Sequence, residues 1–335
     1  MPSHHRPDRS AFPWLPVVAA VLVAVALWMS RDVVRSALDV LPHADGWWIA
    51  AAVATQVVVY VALGALLMRL QHDGLSWHTC VGLALVVFGL GGIMPASPVE
   101  GMTVAAMEMR RRGVTRVHAA TALVLSDWMR FLVLAVLFAI DRVAAFLNGR
   151  PFSISLTPVV ASSLLILLLV MGAATALSHP HTTAVLAKLI DRFPRPRRAA
   201  STEHHAASMH QAVLEVLGSR PNRLAVSALA AVGWIADASC LALCVKAMGD
   251  ELGLDAVLIA YVVAAAVALV PFLPGGLGAV EVVVPTIMSR FGVPFHTALA
   301  ATFAWRGLAL IAPAIGGAAA LLVLRRAVVL EAAPD

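Results

Sequence analysis

The sequence predicts an all-α, polytopic helical membrane protein of about eight main spans, with two short broken or re-entrant half-helices arranged as an inverted internal repeat. Three observations carry that prediction. Hydrophobic residues make up 61% of the 335 and charged residues only 13%, with a mean hydropathy of +0.88, a composition too apolar for a soluble core. Apolar runs near the ~20 residues that cross ~30 Å of hydrocarbon recur along the whole chain. Between two such runs lies Pro274-Gly275-Gly276-Leu277-Gly278-Ala279-Val280-Glu281. Backbone broken by proline and glycine at membrane depth persists only where it is buried in protein or lines a polar cavity, so this break points to a binding site or pathway.

The elements follow in order. Residues 14–29 form an apolar run behind His4, His5, Arg6 and Arg9; an uncleaved first span is the preferred reading, and a signal peptide ending near Ala24-Val25-Ala26 is the alternative. Residues 31–43 read as a linking elbow, or as an amphipathic helix at the interface. The run 47–68 opens on Trp47 and Trp48, which with Trp14 suit an interfacial aromatic belt. Spans at 77–94, 117–140, 153–177, 224–247, 255–272 and 296–324 complete the set. The segments 99–110 and 279–290 follow the breaks at Pro95 and Pro274, and ~12 residues give only ~18 Å of helix. They read as half-helices.

The two breaks introduce similar phrases. Pro95-Ala-Ser-Pro-Val-Glu100 leads to Gly113-Val114, His118, an Ala/Thr-rich helix and Arg130; Pro274 through Glu281 leads to Gly292-Val293, His296, a similar helix and Arg306. That shared order is read as an internal repeat. The polar segment 179–223 holds seven Lys/Arg and Pro194-Arg-Pro-Arg-Arg, which cannot be helix interior, and divides the chain into an N-terminal membrane half (1–178) and a C-terminal one (224–335). If both half-helices cross and the termini are cytoplasmic, 16 Lys/Arg fall inside and 6 outside, as the positive-inside rule requires. The repeats then have opposite topology. The net charge of +5 is explained by topology rather than by nucleic acid. His204, His205 and His210 read as a solvated loop rather than a metal site, and Cys80, Cys240 and Cys244 as buried packing thiols. Neither a metal nor a cofactor is expected.

Ionised side chains within spans need partners or a polar cavity, since each costs ~2.5–3.5 kcal/mol at a helix centre. Asp127 and Arg130, three apart on one helix, read equally as a local ion pair or as substrate contacts. Arg306 has no acid within four residues, and its nearest candidate is Glu281, as Glu100 is for Arg130. Asp237 reads as a substrate contact or as an acid bonded to a neighbouring helix. The candidate site is therefore Glu281, Arg306, Glu100, Arg130, Asp127 and Asp237, around cavity backbone supplied by Pro95, Pro274, Gly275, Gly276 and Gly278.

At these residues the chain resembles the lysylphosphatidylglycerol synthase membrane-domain family, whose members share a Pro-Gly-Gly-Leu-Gly-Val-x-Glu-like break, a following Gly-Val and an arginine in the next helix. Pro274 to Glu281, Gly292-Val293 and Arg306 carry the resemblance; the family's first-half phrase, Pro-x-x-x-Gly-Glu-x-x-Arg, is matched only as far as Pro95 and Glu100. The resemblance implies a flippase-like protein of a bacterial-type plasma (inner) membrane. It implies movement of a phospholipid or lipid-linked headgroup between leaflets without aminoacyl transfer, since the chain ends at Asp335, shortly after its last span. A guanidinium suits a lipid phosphate because its forked donors bind it bidentately. The alternatives are a membrane-embedded glycosyltransferase or other lipid-modifying enzyme, for which no catalytic motif is found, and a non-transporting partner subunit of such enzymes. A homo-oligomer or an enzyme partner is compatible with either.

Overall fold

The computed structural model describes residue 39 and residues 41–71, 74–93, 99–147, 219–268 and 274–331. The expected spans at 14–29 and 153–177, Pro95, the elbow before residue 39 and most of the 179–223 loop, including its histidines, lie outside the described residues. All regular structure among the described residues is helical. Helix α1 (Gly46–Leu70) is followed by α2 (Trp77–Ala84), which runs on through a π-helical segment, Leu85–Leu90, into a 3₁₀ turn, Gly91–Ile93. Then come α3 (Val99–Arg111), α4 (Arg116–Leu147), α5 (Arg220–Ala247) and α6 (Leu254–Ala268). A 3₁₀ turn at Pro274–Gly276 precedes α7 (Val280–Arg290); α8 (Phe295–Arg306) continues through a π-helical segment, Gly307–Ile311, into α9 (Ala312–Glu331).

Among the described residues four helical stretches, Gly46–Leu70, His118–Ala144, Arg220–Ala247 and Phe295–Arg326, are long and apolar enough to cross a membrane, and Trp77–Ile93 and Leu254–Ala268 are shorter apolar helices. The 13 residues of α3 and 11 of α7 make ~20 Å and ~16 Å of helix, both short of the hydrocarbon thickness. One boundary differs from expectation: residues 220–223, read as loop, are the first turn of α5. Ser219 caps that turn by accepting from the Asn222 amide, and Pro221 sits at its start, where a missing N–H costs nothing.

Among the described residues the two largest apolar cores lie one around each half-helix. Ala105 and Met109 of α3 pack with Leu66 and Leu67 of α1, Val86 and Val87 of the π segment, Leu123 of α4 and Leu324 of α9. Val280, Val284 and Met288 of α7 pack with Tyr261 and Val262 of α6, Leu241 and Cys244 of α5, Phe138 of α4 and Trp305 of α8. Helices α4 and α5 contribute to both. In lipid such association rests on close van der Waals packing, which small residues permit. Gly64 faces Val81 so closely that a Cβ would lie 2.5 Å from its Cγ2, and at Gly317 a Cβ would lie 2.3 Å from the Leu85 carbonyl oxygen. Large apolar side chains such as Val57, Ile140, Ile315 and Val323 remain exposed, as a lipid-facing surface requires.

Candidate functional site

The second break is shaped by glycines that L side chains would strain. Gly275, Gly276 and Gly278 have φ of 55°, 71° and 86°, a region costing other residues ~1–2 kcal/mol. A Cβ at Gly275 would lie 2.7 Å from the Gly92 carbonyl oxygen, and one at Gly276 would lie 2.7 Å from Val280 Cγ2 and 3.1 Å from Ala268 Cα. The Pro274–Gly276 turn thus lies directly against the Gly91–Ile93 turn that ends α2. Glycine turns from the two halves of the sequence meet in the interior.

Glu281 and Arg306 converge on this contact. Arg306 Nε donates to Glu281 Oε1 at 3.0 Å and a terminal guanidinium nitrogen donates to the Gly275 carbonyl at 2.5 Å, while the Gly278 amide donates to Glu281 Oε2 at 2.7 Å. The glutamate, an acid in the first turn of α7, therefore ties the preceding glycine turn to the helix and neutralises the arginine together, where a negative charge also suits the helix N-terminus. Both side chains retain slight exposure, 12% for Arg306 and 15% for Glu281.

Asp237 serves a different junction. Its Oδ1 accepts from Gln56 Nε2 at 2.6 Å and from Trp305 Nε1 at 3.0 Å, and its Oδ2 accepts from Tyr261 Oη at 2.5 Å. One carboxylate on α5 thereby joins α1, α6 and α8. Of the two readings of this acid, the structure exhibits the bond to a neighbouring helix, made three times over. Around it the rings of Trp234, Tyr261 and Trp305 form a chain with centroids 5.5 Å and 5.8 Å apart.

Asp127 and Arg130 approach only to 3.7 Å, beyond hydrogen-bond distance. Arg130 instead places its guanidinium over Phe88 and Trp234, 4.3 Å and 4.7 Å from the ring centroids, contacts stabilising by ~0.5–2 kcal/mol each. Glu100 lies in the first turn of α3. The described parts of the two halves share a local turn but not a register. Both half-helices end in the same turn: Val114 N donates to Met109 O at 3.2 Å and Val293 N to Met288 O at 3.3 Å, with Gly113 at φ 90° and Gly292 at φ 97°. From those glycines Arg130 is 17 residues on and Arg306 only 14. The difference of three residues is nearly one turn, ~4.5 Å, so the two arginines do not occupy equivalent positions.

Several residues of this centre were not among the sequence candidates. Gln56 and Tyr261 are polar groups inside apolar runs, a signal that marks intramembrane contacts and was available to the eye. Glu108 gave no such signal, sitting beside Arg110, Arg111 and Arg112 as one of several loop-end charges. It is 2% exposed, paired with Arg112 at 2.7 Å and Arg111 at 3.3 Å, and Arg112 also donates to the Leu324 carbonyl on α9 at 2.6 Å. Cys80, Cys240 and Cys244 are free and buried. No group of three metal-ligating side chains occurs among the described residues.

Comparison with curated proteins returned no match. A family model described as the lysylphosphatidylglycerol synthase TM region matches residues 15–317, and with it come a membrane location and a lipid-related role. With that match spanning most of its length, and with the broken-helix centre described above, the chain belongs to the lysylphosphatidylglycerol synthase transmembrane-region family.

Proposed function

We propose that the protein is a lipid translocase that carries the polar headgroup of a phospholipid or lipid-linked molecule between leaflets, while the acyl chains stay in lipid. The observation that carries this reading is the convergence of Arg306, Glu281 and the Gly275 carbonyl on non-helical backbone that abuts the Gly92 turn of the other half. A charge pair at such a junction has two arrangements of comparable cost: Arg306 satisfied by Glu281 and Gly275, or Arg306 satisfied by a phosphate. Glu281 keeps the Gly278 amide as a partner when the arginine leaves it. Exchange of one acceptor for another lets a headgroup cross without exposing an unpaired ion to hydrocarbon.

The short helices α3 and α7, both left through the same glycine turn, support an inverted repeat whose halves rock about the central contact, as alternating access requires. The charge bias of the loops supports cytoplasmic termini in a bacterial-type inner membrane. On this reading the chain moves lipid without transforming it. Proteoliposomes carrying a leaflet-asymmetric fluorescent phospholipid test it: the wild type speeds equilibration between leaflets, and Arg306→Lys, which keeps the charge and loses the fork, slows it. A wild-type protein that accelerates no candidate phospholipid refutes the translocase and favours a lipid-modifying enzyme or its partner subunit.

A further inference from the structure

Arg306 and Arg130 are both intramembrane guanidiniums of similar exposure, 12% and 14%, yet their donors are held differently. Two of those of Arg306, on Nε and one terminal nitrogen, are bonded to Glu281 and Gly275. Those of Arg130 meet no protein acceptor within hydrogen-bond distance among the described residues; the nearest is Asp127 Oδ1 at 3.7 Å. What holds Arg130 is aromatic: Phe88 from the π segment and Trp234 from α5. The indole is itself fixed, because its Nε1 donates to the backbone carbonyl of Arg130 at 2.5 Å. Phe131 and Tyr261 pack against it at 5.8 Å and 5.5 Å between centroids. Ring faces attract the cation but accept none of its five in-plane N–H donors strongly. A guanidinium held over two rings, with slight exposure and donors that no protein acceptor among the described residues takes up, is preorganised for an oxyanion that offers two oxygens to its fork.

We propose that Arg130 is the phosphate-receiving subsite of this conformation, which binds the phosphodiester of a membrane lipid while Arg306 is still latched to Glu281. This rests on the translocase reading and adds an order to it: capture at Arg130, then opening of the Arg306 contact. Asp127 lowers the charge of the empty site without occupying the donors.

Native mass spectrometry of the purified full chain, titrated with phosphatidylglycerol, with diacylglycerol of the same acyl chains, or with inorganic phosphate, tests the assignment. The wild type retains phosphatidylglycerol over diacylglycerol; Arg130→Ala lowers that retention about tenfold and leaves diacylglycerol unchanged, an effect of the size expected for loss of a charge-assisted hydrogen bond. Arg130→Lys, which preserves the charge and supports folding, falls between them. Phosphatidylglycerol retention equal to wild type in both variants overturns the subsite, leaving Arg130 as aromatic packing. Arg130-dependent uptake of inorganic phosphate with no Arg130-dependent lipid retention overturns the lipid source and assigns the oxyanion to a soluble phosphate. The two proposals separate in the proteoliposomes: Arg130-dependent retention without accelerated equilibration refutes the translocase but not the subsite, and accelerated equilibration with Arg130-independent retention does the reverse.

Discussion

Replacing Glu281 by Gln tests how tightly the central contact is built. The carboxylate accepts from two donors at once, Arg306 Nε through one oxygen and the Gly278 amide through the other. A carboxamide offers one oxygen, so one donor then faces an NH₂ group and the arginine loses its counter-charge. Removing one partner of a fully buried pair costs ~3–5 kcal/mol. The residual exposure of 12% and 15% reduces this to ~2–3 kcal/mol by partial solvation. At roughly 2 °C per kcal/mol for a chain of this size, the thermal midpoint in detergent falls by ~4–6 °C. Arg306→Gln has a similar effect, and the double variant costs far less than the sum, leaving a coupling of ~2 kcal/mol in the double-mutant cycle. If the two single effects simply add, to within ~0.5 kcal/mol, the residues do not depend on each other and the reasoning from the 3.0 Å contact fails.

Other substitutions probe the surrounding geometry. Gly275→Ala and Gly74→Ala both place a side chain at positive φ, but only the first meets a backbone oxygen, 2.7 Å from its Cβ, whereas Gly74 has nothing within 4 Å; thermal midpoints and lipid equilibration should show Gly275→Ala as the markedly worse variant, and equal effects would mean the two glycine turns need no close approach. Asp237→Ala leaves the donors of Gln56, Tyr261 and Trp305 without their acceptor, at ~1–3 kcal/mol for each that stays buried and unsatisfied, so it should destabilise by at least ~3 kcal/mol in an unfolding titration, with near-wild-type stability refuting the junction. Arg112→Ala removes the bridge from Glu108 to the Leu324 carbonyl and should speed amide hydrogen exchange around residues 322–326; unchanged protection there would show that α9 is held by packing alone. Single cysteines at positions 204 and 148 should label from the cytoplasmic and external sides respectively, and labelling from one side refutes the opposite-topology repeat.

The centre divides into parts legible in one dimension and parts that are not. Helix positions were legible because crossing a bilayer is a local demand on length and apolarity, and α1, α4 and the α8–α9 stretch lie where the apolar runs put them. The break at 274–278 was legible because closely spaced glycines at membrane depth have few uses. The Arg306–Glu281 pair was nameable from charge alone, since Arg306 had no acid on its own helix. The start of α5 at Arg220 was obscured because the basic residues that mark a loop also occupy a capped first turn.

Partner choice across helices was another matter. Arg130, with Asp127 three residues away on its own helix, places its guanidinium over aromatic rings on two other elements, one of them 104 residues away in sequence. Asp237 finds donors 181, 68 and 24 residues away. Glu108, unremarkable in a run of charges, is buried and bonded to Arg112, which itself reaches the Leu324 carbonyl on α9. Hydropathy and spacing fix where a helix is and which residues it needs to hide; its rotation and its neighbours follow from close packing of glycine against backbone, as at Gly92 and Gly275 or at Leu85 and Gly317. The sequence by itself determined a membrane protein with a broken, charged interior, and only the tertiary structure decided which arginine bonds a carboxylate and which lies over aromatic rings, because that depends on side-chain directions set by helix contacts between distant segments.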